Sequence, residues 1–325
     1  MPTKNYMEKS SDNIENKPKK KRNKWLIIAI IAVVSVLLLS FIGIVFGIYF
    51  LTTGKGTSVF QGDSVAVIRL EGVISGSGDT GGLLGGGSAA NPEVFAANLK
   101  EALEDDSVKA IIIRVNSPGG SPAASQEMYE EVKKAAKKKP VIASVAEVAA
   151  SGSYYAISPV EEIISPKAAD IGSIGVFIEI PNLEELYRKL GVKVVIIKEG
   201  KYKAMGDPSK PLTAEEQKVL QNYAFEIYNQ FINDVAAARK KLTVSEVKKL
   251  ATGRTWPATQ AKELDLIDSF GDYQDSIKRA AKLGKIKGEP NIVTYEEEDW
   301  FSLVKSGIKA LGNFGRLPSA EKSFK

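Results

Sequence analysis

A long uncharged segment near the N-terminus limits most strongly what this chain can fold into. No charged residue occurs from Trp25 to Gly54, and residues 26–51 are almost wholly apolar. At about 1.5 Å per residue, such a helix reaches roughly 37 Å and exceeds a hydrocarbon core of about 30 Å. A cleaved signal peptide usually has an apolar region of only about 7–15 residues. We therefore predict an uncleaved transmembrane anchor over residues 25–53, with a buried core helix as the alternative.

The positive charge of the chain lies almost entirely before this segment. The net charge is +5, and residues 1–24 hold eight Lys or Arg side chains against three acidic ones. This polar composition predicts a disordered basic tail. Basic residues before the anchor and few just after it predict a cytoplasmic N-terminus, with everything after Lys55 outside the cell membrane. The rest of the chain is neutral, which argues against a nucleic-acid-binding protein.

The first half of the following domain alternates between strand-like and helix-like segments. Asp63 to Ile74 is rich in β-branched residues, and residues 108–116 (VKAIIIRVN) resemble a strand buried in a parallel sheet. Helices are predicted after Asn91-Pro92, an N-cap with a first-turn proline, and after SPGG at residues 117–120. This alternation of strands and helices predicts an α/β fold with parallel strands and right-handed crossovers.

The second half continues this pattern. Strands are predicted at residues 141–145 (VIASV) and 192–205 (VKVVIIKEGKYKAM), and capping boxes at Thr213 and Thr243 each begin a helix. The first of these helices carries an apolar stripe with core-facing spacing, made of Val219, Leu220, Tyr223, Ile227, Phe231 and Val235.

The domain boundaries follow from composition. We assign residues 54–285 to one folded domain and residues 286–325, which are mostly polar, to a C-terminal tail. The glycine-rich segment 75–90 is predicted to be a flexible loop that either lines a substrate groove or is a plain linker.

The absence of histidine and cysteine restricts the chemistry. A serine nucleophile could not be activated by imidazole, a thiol mechanism is excluded, and a zinc site is not expected. The sequence AASGSYY places Ser151 at a strand-to-helix turn, where the amide of Gly152 is free to donate. Lys203, in GKYK, is the best candidate for a general base, because an amine that burial holds neutral can accept a proton. We expect neither a metal nor an organic cofactor.

Each of these features also has a simpler interpretation. SPGG alone is more often a plain turn, a serine between alanine and glycine usually serves helix packing, and a lysine in KEGKYK is usually solvated. The glycine backbone of SPGG could alternatively approach a ligand closely and stabilise an oxyanion. Only the combination of SPGG, Ser151 and Lys203 favours a catalytic site.

The ordered motifs NSPGG, AASGSYY, GSIGV, GKYK and GRTWPATQAKELDLID closely resemble those of the bacterial signal peptide peptidase A family. These are membrane-anchored Ser/Lys peptidases of the Clp-protease/crotonase-like fold, which is built of ββα units. The resemblance covers roughly residues 63–285, and the anchor is similar to that of the short single-domain branch. Family members usually read ASGGYY, whereas this chain has Ser153 at the second glycine.

The resemblance implies specific roles. It assigns Ser151 as the nucleophile, Lys203 as the general base and Ser173 as the hydroxyl that orients the lysine amine. Backbone amides of Gly119 or Gly120 and of Gly152 would form the oxyanion hole.

The resemblance also implies the substrate and the assembly. We expect cleavage of remnant signal peptides in the lipid bilayer, small apolar side chains at the cleavage site, and a ring-shaped homo-oligomer in which the dyad is completed between subunits. Two alternatives stay open: a catalytically inactive membrane scaffold or peptide-resistance protein, and an acyl-CoA-handling enzyme of the same fold.

Overall fold

The computed structural model describes residues 28, 31–43, 62–76 and 89–295. The predicted basic tail, most of the glycine-rich loop and most of the C-terminal tail therefore lie outside the described residues. The chain divides into two compact units, one formed by Met1–Ser58 with Phe301–Lys325 and the other by Val59–Trp300.

The first unit contains one described helix, α1, over residues 31–43, whose side chains are all exposed. Among the described helices, none combines the length and the apolar character that a membrane span requires. Much of the predicted anchor at residues 25–53 lies outside the described residues.

The second unit is built on a sheet that contains nine strands among the described residues. Its main path runs β2-β1-β3-β4-β5-β8, while β9 pairs with β1, β6 with β4 and β7 with β6. Every pairing is parallel except that of β6 with β7. The strands are β1 (Ser64–Ile74), β2 (Ala89–Ala90), β3 (Val108–Gly120), β4 (Val141–Ala150), β5 (Glu162–Ser165), β6 (Asp170–Gly172), β7 (Thr255–Pro257), β8 (Ser269–Phe270) and β9 (Asn291–Tyr295). The predicted parallel-sheet α/β fold is confirmed.

Eight helices accompany these strands in the described part of the unit. They are α2 (Pro92–Glu104), α3 (Pro122–Ala135), α4 (Gly152–Ile157), α5 (Glu184–Lys189), α6 (Ala214–Ala238), α7 (Val244–Leu250), α8 (Ala258–Glu263) and α9 (Tyr273–Leu283). The predicted N-cap at Asn91 accepts hydrogen bonds from the amides of Glu93 and Val94. The capping boxes at Thr213 and Thr243 both form.

Both faces of the central strands are buried, because helices cover the sheet on each side. On one face, Val65 and Val67 of β1 pack in a cluster with Ala280 and Ala281 of α9. On the other face, alternate residues of the same strands join the larger core under α2, α3 and α4. This two-sided burial explains the continuous apolar runs of the sequence.

The strand predicted over residues 192–205 is wrong. Residues 192–198 form no regular strand, and residues 201–206 form turns. Val195 and Ile197 are 81% and 96% exposed, although their β-branched side chains favour a sheet. A strand needs a partner, and no described strand of this chain pairs with them.

Two further predictions need correction. The apolar stripe of α6 is buried only towards its C-terminal end, at Phe231 and Val235, whereas Tyr223 is 59% exposed. The domain also extends beyond residue 285, since β9 pairs with β1 through five residues. The short β-branched sequence NIVTY supplies this additional parallel strand.

Candidate active site

Ser151 lies at a sharp turn between β4 and α4, as the sequence predicts. Its backbone has φ 52° and ψ −123°, a conformation that a residue with a side chain rarely adopts. Such strain costs about 1–3 kcal/mol and persists only where neighbouring structure enforces it. Here the Ser151 amide donates to Gly172 O at 2.7 Å, and the Ser151 carbonyl accepts from the Tyr155 amide at 3.0 Å. The turn therefore holds the partly buried Ser151 side chain at the end of the sheet.

The SPGG sequence continues strand β3 rather than forming a free turn. Its register shifts against β4 between Val115 and Ser117, and it runs on to Gly120, opposite Ile74 of β1. A methyl group placed on Gly120 would lie 2.1 Å from Ile74 O, so the strand requires glycine at this position.

The structure distinguishes between the two candidate amides of this strand. The Gly119 amide already donates to Ser117 Oγ at 3.1 Å. The Ser121 amide donates to Ile74 O at 2.9 Å, on the β1 side. Because successive amides of a strand point in opposite directions, that of Gly120 points towards β4 and Ser151. Gly120 is therefore the available donor from this strand.

Gly152 provides the second amide. As the first residue of α4, it has no intrahelical partner for its N–H group. A methyl group on Gly152 would lie 3.3 Å from the Gly120 nitrogen and 2.1 Å from Ser125 Oγ. The two amides thus flank the same small space beside Ser151, an arrangement suited to an oxyanion.

Ser173 faces the same site from the end of β6. Its φ is 50°, its amide donates to Arg254 O at 3.0 Å, and its hydroxyl donates to Gly253 O at 3.0 Å. Since the hydroxyl proton is engaged, the oxygen lone pairs remain able to accept a hydrogen bond from an incoming amine.

These groups border one cavity of about 840 Å³. Its polar end contains Ser151, Ser173 and the glycines of the two turns, and its apolar wall is formed by Tyr155, Ile227, Tyr228 and Phe231. The described residues that line it include no lysine, arginine, aspartate or glutamate. No described group of three or more acidic residues could hold a metal ion either. Within the described part of one chain, the cavity therefore holds the candidate nucleophile and the candidate oxyanion donors but no strong base.

Tyr155 is not a substitute for that base. Its hydroxyl donates to a carboxylate oxygen of Asp234, and burial, followed by this hydrogen bond, raises the pKa of Tyr155. The ring stacks on Phe231, with 4.7 Å between ring centroids. Tyr155 consequently stays protonated and forms part of the apolar wall.

Lys203 is the one predicted site residue that does not line this cavity. It lies in the turns at residues 201–206, where its side chain is exposed and has no hydrogen bond or ion pair with any described residue. Its neighbour Lys201, in contrast, is ion-paired with Glu215. Of the two lysines in GKYK, Lys203 is thus the one available to another partner.

Sequence reasoning missed the role of Ser153. This residue is fully buried in α4, and its φ is not positive, so serine fits where glycine is usual in the family. Its hydroxyl contacts Ser117 O at 2.7 Å and accepts from the Ala150 amide at 2.9 Å. Only the register of β3 against β4 brings these atoms together, and no local sequence signal indicates that register.

Comparison with known proteins relates this site to peptidases. Residues 133–287 match the family described as "Peptidase family S49". A protein of Methanocaldococcus jannaschii named "Putative protease MJ0651" is 33% identical over 270 residues, covering 83% of this chain and 86% of that protein.

Two bacterial relatives are longer than the region that they share with this chain. The Enterococcus faecium protein named "Putative signal peptide peptidase SppA" is 35% identical over 223 residues, which are 67% of this chain and 64% of that protein. "Protease 4" of Salmonella typhi is 36% identical over 234 residues, covering 71% of this chain but only 36% of that protein. The described fold, the Ser151 turn and the coverage of the archaeal relative lead to one assignment: the chain belongs to peptidase family S49.

Proposed function

We propose that this protein is a membrane-anchored serine endopeptidase that cleaves remnant signal peptides, with Ser151 as nucleophile and Lys203 of a second copy as general base. The observation that carries the proposal is the incomplete cavity, which has a nucleophile and two oxyanion donors but lacks a base among its described lining residues. Lys203, exposed and without a partner in the described part of its own chain, is the complementary group.

The chemistry follows from these positions. The neutral Lys203 amine takes the Ser151 hydroxyl proton as Oγ bonds to the carbonyl carbon of the substrate. The carbonyl electron pair moves onto oxygen, and the amides of Gly120 and Gly152 stabilise the resulting charge. Collapse breaks the C–N bond, the lysine proton passes to the leaving amine, and water then hydrolyses the acyl-enzyme by the reverse sequence.

An interface between subunits would also give the lysine a suitable environment. An ordinary lysine with a pKa near 10.4 is neutral in only about one molecule in two thousand at pH 7. Removal of water from the amine disfavours its charged form. Insertion into the cavity of a neighbouring subunit would bring the amine against Ser173, whose lone pairs can orient it.

The segment that carries Lys203 has the surface that such an assembly needs. Phe177, Leu190, Val195 and Ile197 are all more than 60% exposed within one chain. Large apolar side chains that are exposed within one chain are suited to contact with another chain. A ring-shaped homo-oligomer, in which each subunit covers this segment of the next, accounts for both the exposed apolar residues and the missing base.

The proposed anchor comes from the uncharged segment at residues 25–53. Its described portion, residues 31–43, is helical and exposes apolar side chains such as Leu37 and Phe41, at 64% and 65%. With the N-terminus in the cytoplasm, the second unit, which carries the cavity, would lie on the outer side of the cell membrane, where signal peptides are released. The apolar wall of the cavity and the name of the Enterococcus relative support a hydrophobic peptide substrate.

The full-length protein in detergent micelles provides the test. Its substrate is a synthetic signal peptide with a fluorophore and a quencher on either side of a small apolar residue. We expect Ser151→Ala and Lys203→Ala each to lower turnover by at least about 10³-fold, because each removes one member of a cooperating pair. Lys201→Ala is the matched control and should change turnover by less than about 3-fold, since the Lys201 amine pairs with Glu215 and lies over the Tyr202 ring at the surface of its own chain. Equal turnover in all four proteins would eliminate the dyad.

A further inference from the structure

The hydroxyl of Ser153 joins the two strand ends that carry the oxyanion donors. Ser153 has no exposed surface, and its Oγ lies 2.7 Å from Ser117 O on β3. The same oxygen accepts from the Ala150 amide at 2.9 Å and lies 2.9 Å from Ala150 O, both on β4. One side chain thus bridges β3 and β4 directly behind the nucleophile.

This bridge lies where the strand ladder between β3 and β4 stops. The last residue pair of that ladder is Ser117 with Ala149. The Ser151 amide donates to Gly172 O on β6, so the preceding amide, that of Ala150, points the other way, towards β3. Ser153 Oγ therefore accepts from this amide at the last residue pair of the ladder, where buried backbone groups need hydrogen-bond partners.

Ser117 connects the bridge to the oxyanion donors. Its own buried hydroxyl accepts from the Gly119 amide, which precedes the free donor Gly120. On the β4 side, Ala150 precedes Ser151 and the second donor, Gly152. A methyl group on Gly119 would lie 2.5 Å from the Gly152 nitrogen, so the two turns approach each other through their backbones, with no room for a side chain between them at this point. Their separation depends on the hydrogen bonds that join the strands.

We propose that Ser153 is a positioning residue that fixes the distance between the Gly120 and Gly152 amides and thereby tunes the oxyanion hole. This inference rests on the proposed function, because it needs Ser151 to be the nucleophile. Displacement of a catalytic group by 1 Å can cost about 100-fold in rate. A change at Ser153 should therefore affect the transition state more than the binding of substrate.

The test compares two ligands that differ only at the reacting carbon. One is a peptide aldehyde and the other is the corresponding peptide alcohol. Ser151 Oγ bonds to the aldehyde carbon, the carbonyl electron pair becomes an oxyanion, and the hydroxyl proton passes to the Lys203 amine. The alcohol has no carbonyl group and reports binding alone.

For Ser153→Ala in the full-length protein, we expect kcat to fall by about 10- to 100-fold while KM changes by less than about 3-fold. The affinity for the aldehyde should fall in parallel with kcat, and that for the alcohol should not. Ser158→Ala is the matched control, because Ser158 is equally buried at the end of the same helix and donates to Tyr155 O at 2.9 Å. It should lower stability without changing kcat or the ratio of the two affinities.

A second variant keeps the test decisive if Ser153→Ala does not fold. Ser153→Cys retains a side chain of similar shape but replaces a strong hydrogen-bonding group with a weak one. It should also lower kcat and aldehyde affinity together. Wild-type kcat and aldehyde affinity in whichever variant folds would overturn the inference. If Ser151→Ala abolishes turnover in the same assay, the proposed function survives that result; if Ser151→Ala retains turnover, the proposed function itself fails.

Discussion

Gly119 and Gly152 approach each other so closely that a methyl group on Gly119 would lie 2.5 Å from the Gly152 nitrogen and 2.7 Å from Ala150 O. Gly119 also has φ +92°, in the region that favours glycine. This contact joins the end of β3 to the Ser151 turn. It makes the shape of the site depend on residues that carry no functional side chain.

Gly119→Ala should therefore impair activity beyond its effect on stability. A side chain at a left-handed φ costs about 1–2 kcal/mol, and the added methyl must also displace the backbone at Gly152. Gly288→Ala is a matched control, because Gly288 has φ +86° but no heavy atom within 4 Å of an added methyl. Both variants should lose some thermal stability, and only Gly119→Ala should lose kcat, by at least about 10-fold. Similar kcat losses in the two variants would contradict this explanation.

A subunit-mixing experiment can determine whether Lys203 acts between chains. Ser151→Ala and Lys203→Ala chains should each be inactive as homo-oligomers. After co-expression in equal amounts, a neighbouring pair can combine Ser151 of one chain with Lys203 of the other. If assembly is random, about a quarter of the sites are restored. If the lysine acts within its own chain, no site is restored and the mixed assemblies stay inactive in the fluorogenic assay.

The exposed segment around Ile197 should control assembly. Ile197 is 96% exposed in one chain, so Ile197→Asp should leave the fold of the protomer intact. A charge buried at an interface opposes association. Analytical ultracentrifugation should show a smaller assembly, and turnover should fall in proportion to the loss of assembled protein. Ile197→Val keeps the apolar surface and should retain both the wild-type assembly and the wild-type turnover. If Ile197→Asp has the same assembly mass as the wild type, this segment does not form the interface.

The sequence predicts the local chemistry of the site better than its assembly. The small residues around Ser151 require a tight strand-to-helix turn, and the turn forms. The β-branched residues at 192–197 predict a strand, yet no described strand of this chain pairs with them. Likewise, the apolar spacing of α6 predicts a buried face, while Tyr223 stays exposed. Periodicity indicates that a surface is apolar, but it does not specify which chain covers it.

The role of Ser153 could not be predicted for a different reason. Its partners, Ser117 and Ala150, become neighbours only through a register shift between β3 and β4. A register shift depends on how two distant segments pair, so nothing in the sequence around Ser153 indicates it.

The buried carboxylate of Glu216 makes the stability of the protein depend on acidic pH. Hydrogen bonding from the Thr213 amide and then from Lys210 lowers the pKa of Glu216 to about 2, from 4.5. A carboxylate with a lower pKa in the folded state stabilises that state above pH 4.5, and this contribution is lost as the pH falls towards 2.

Glu216→Gln should remove this dependence. The amide oxygen of glutamine can still accept from the Thr213 amide, but it does not titrate. The difference in free energy of unfolding between wild type and Glu216→Gln should be constant above about pH 5 and should shrink between pH 4.5 and 2. Lys210→Met removes the cation that lies 2.9 Å from the carboxylate, so the loss should again begin near pH 4.5 but should be smaller and should be complete at a higher pH than in the wild type. Urea titrations at a series of pH values measure these differences, and a difference that stays constant down to pH 2 would show that Glu216 is not the titrating group.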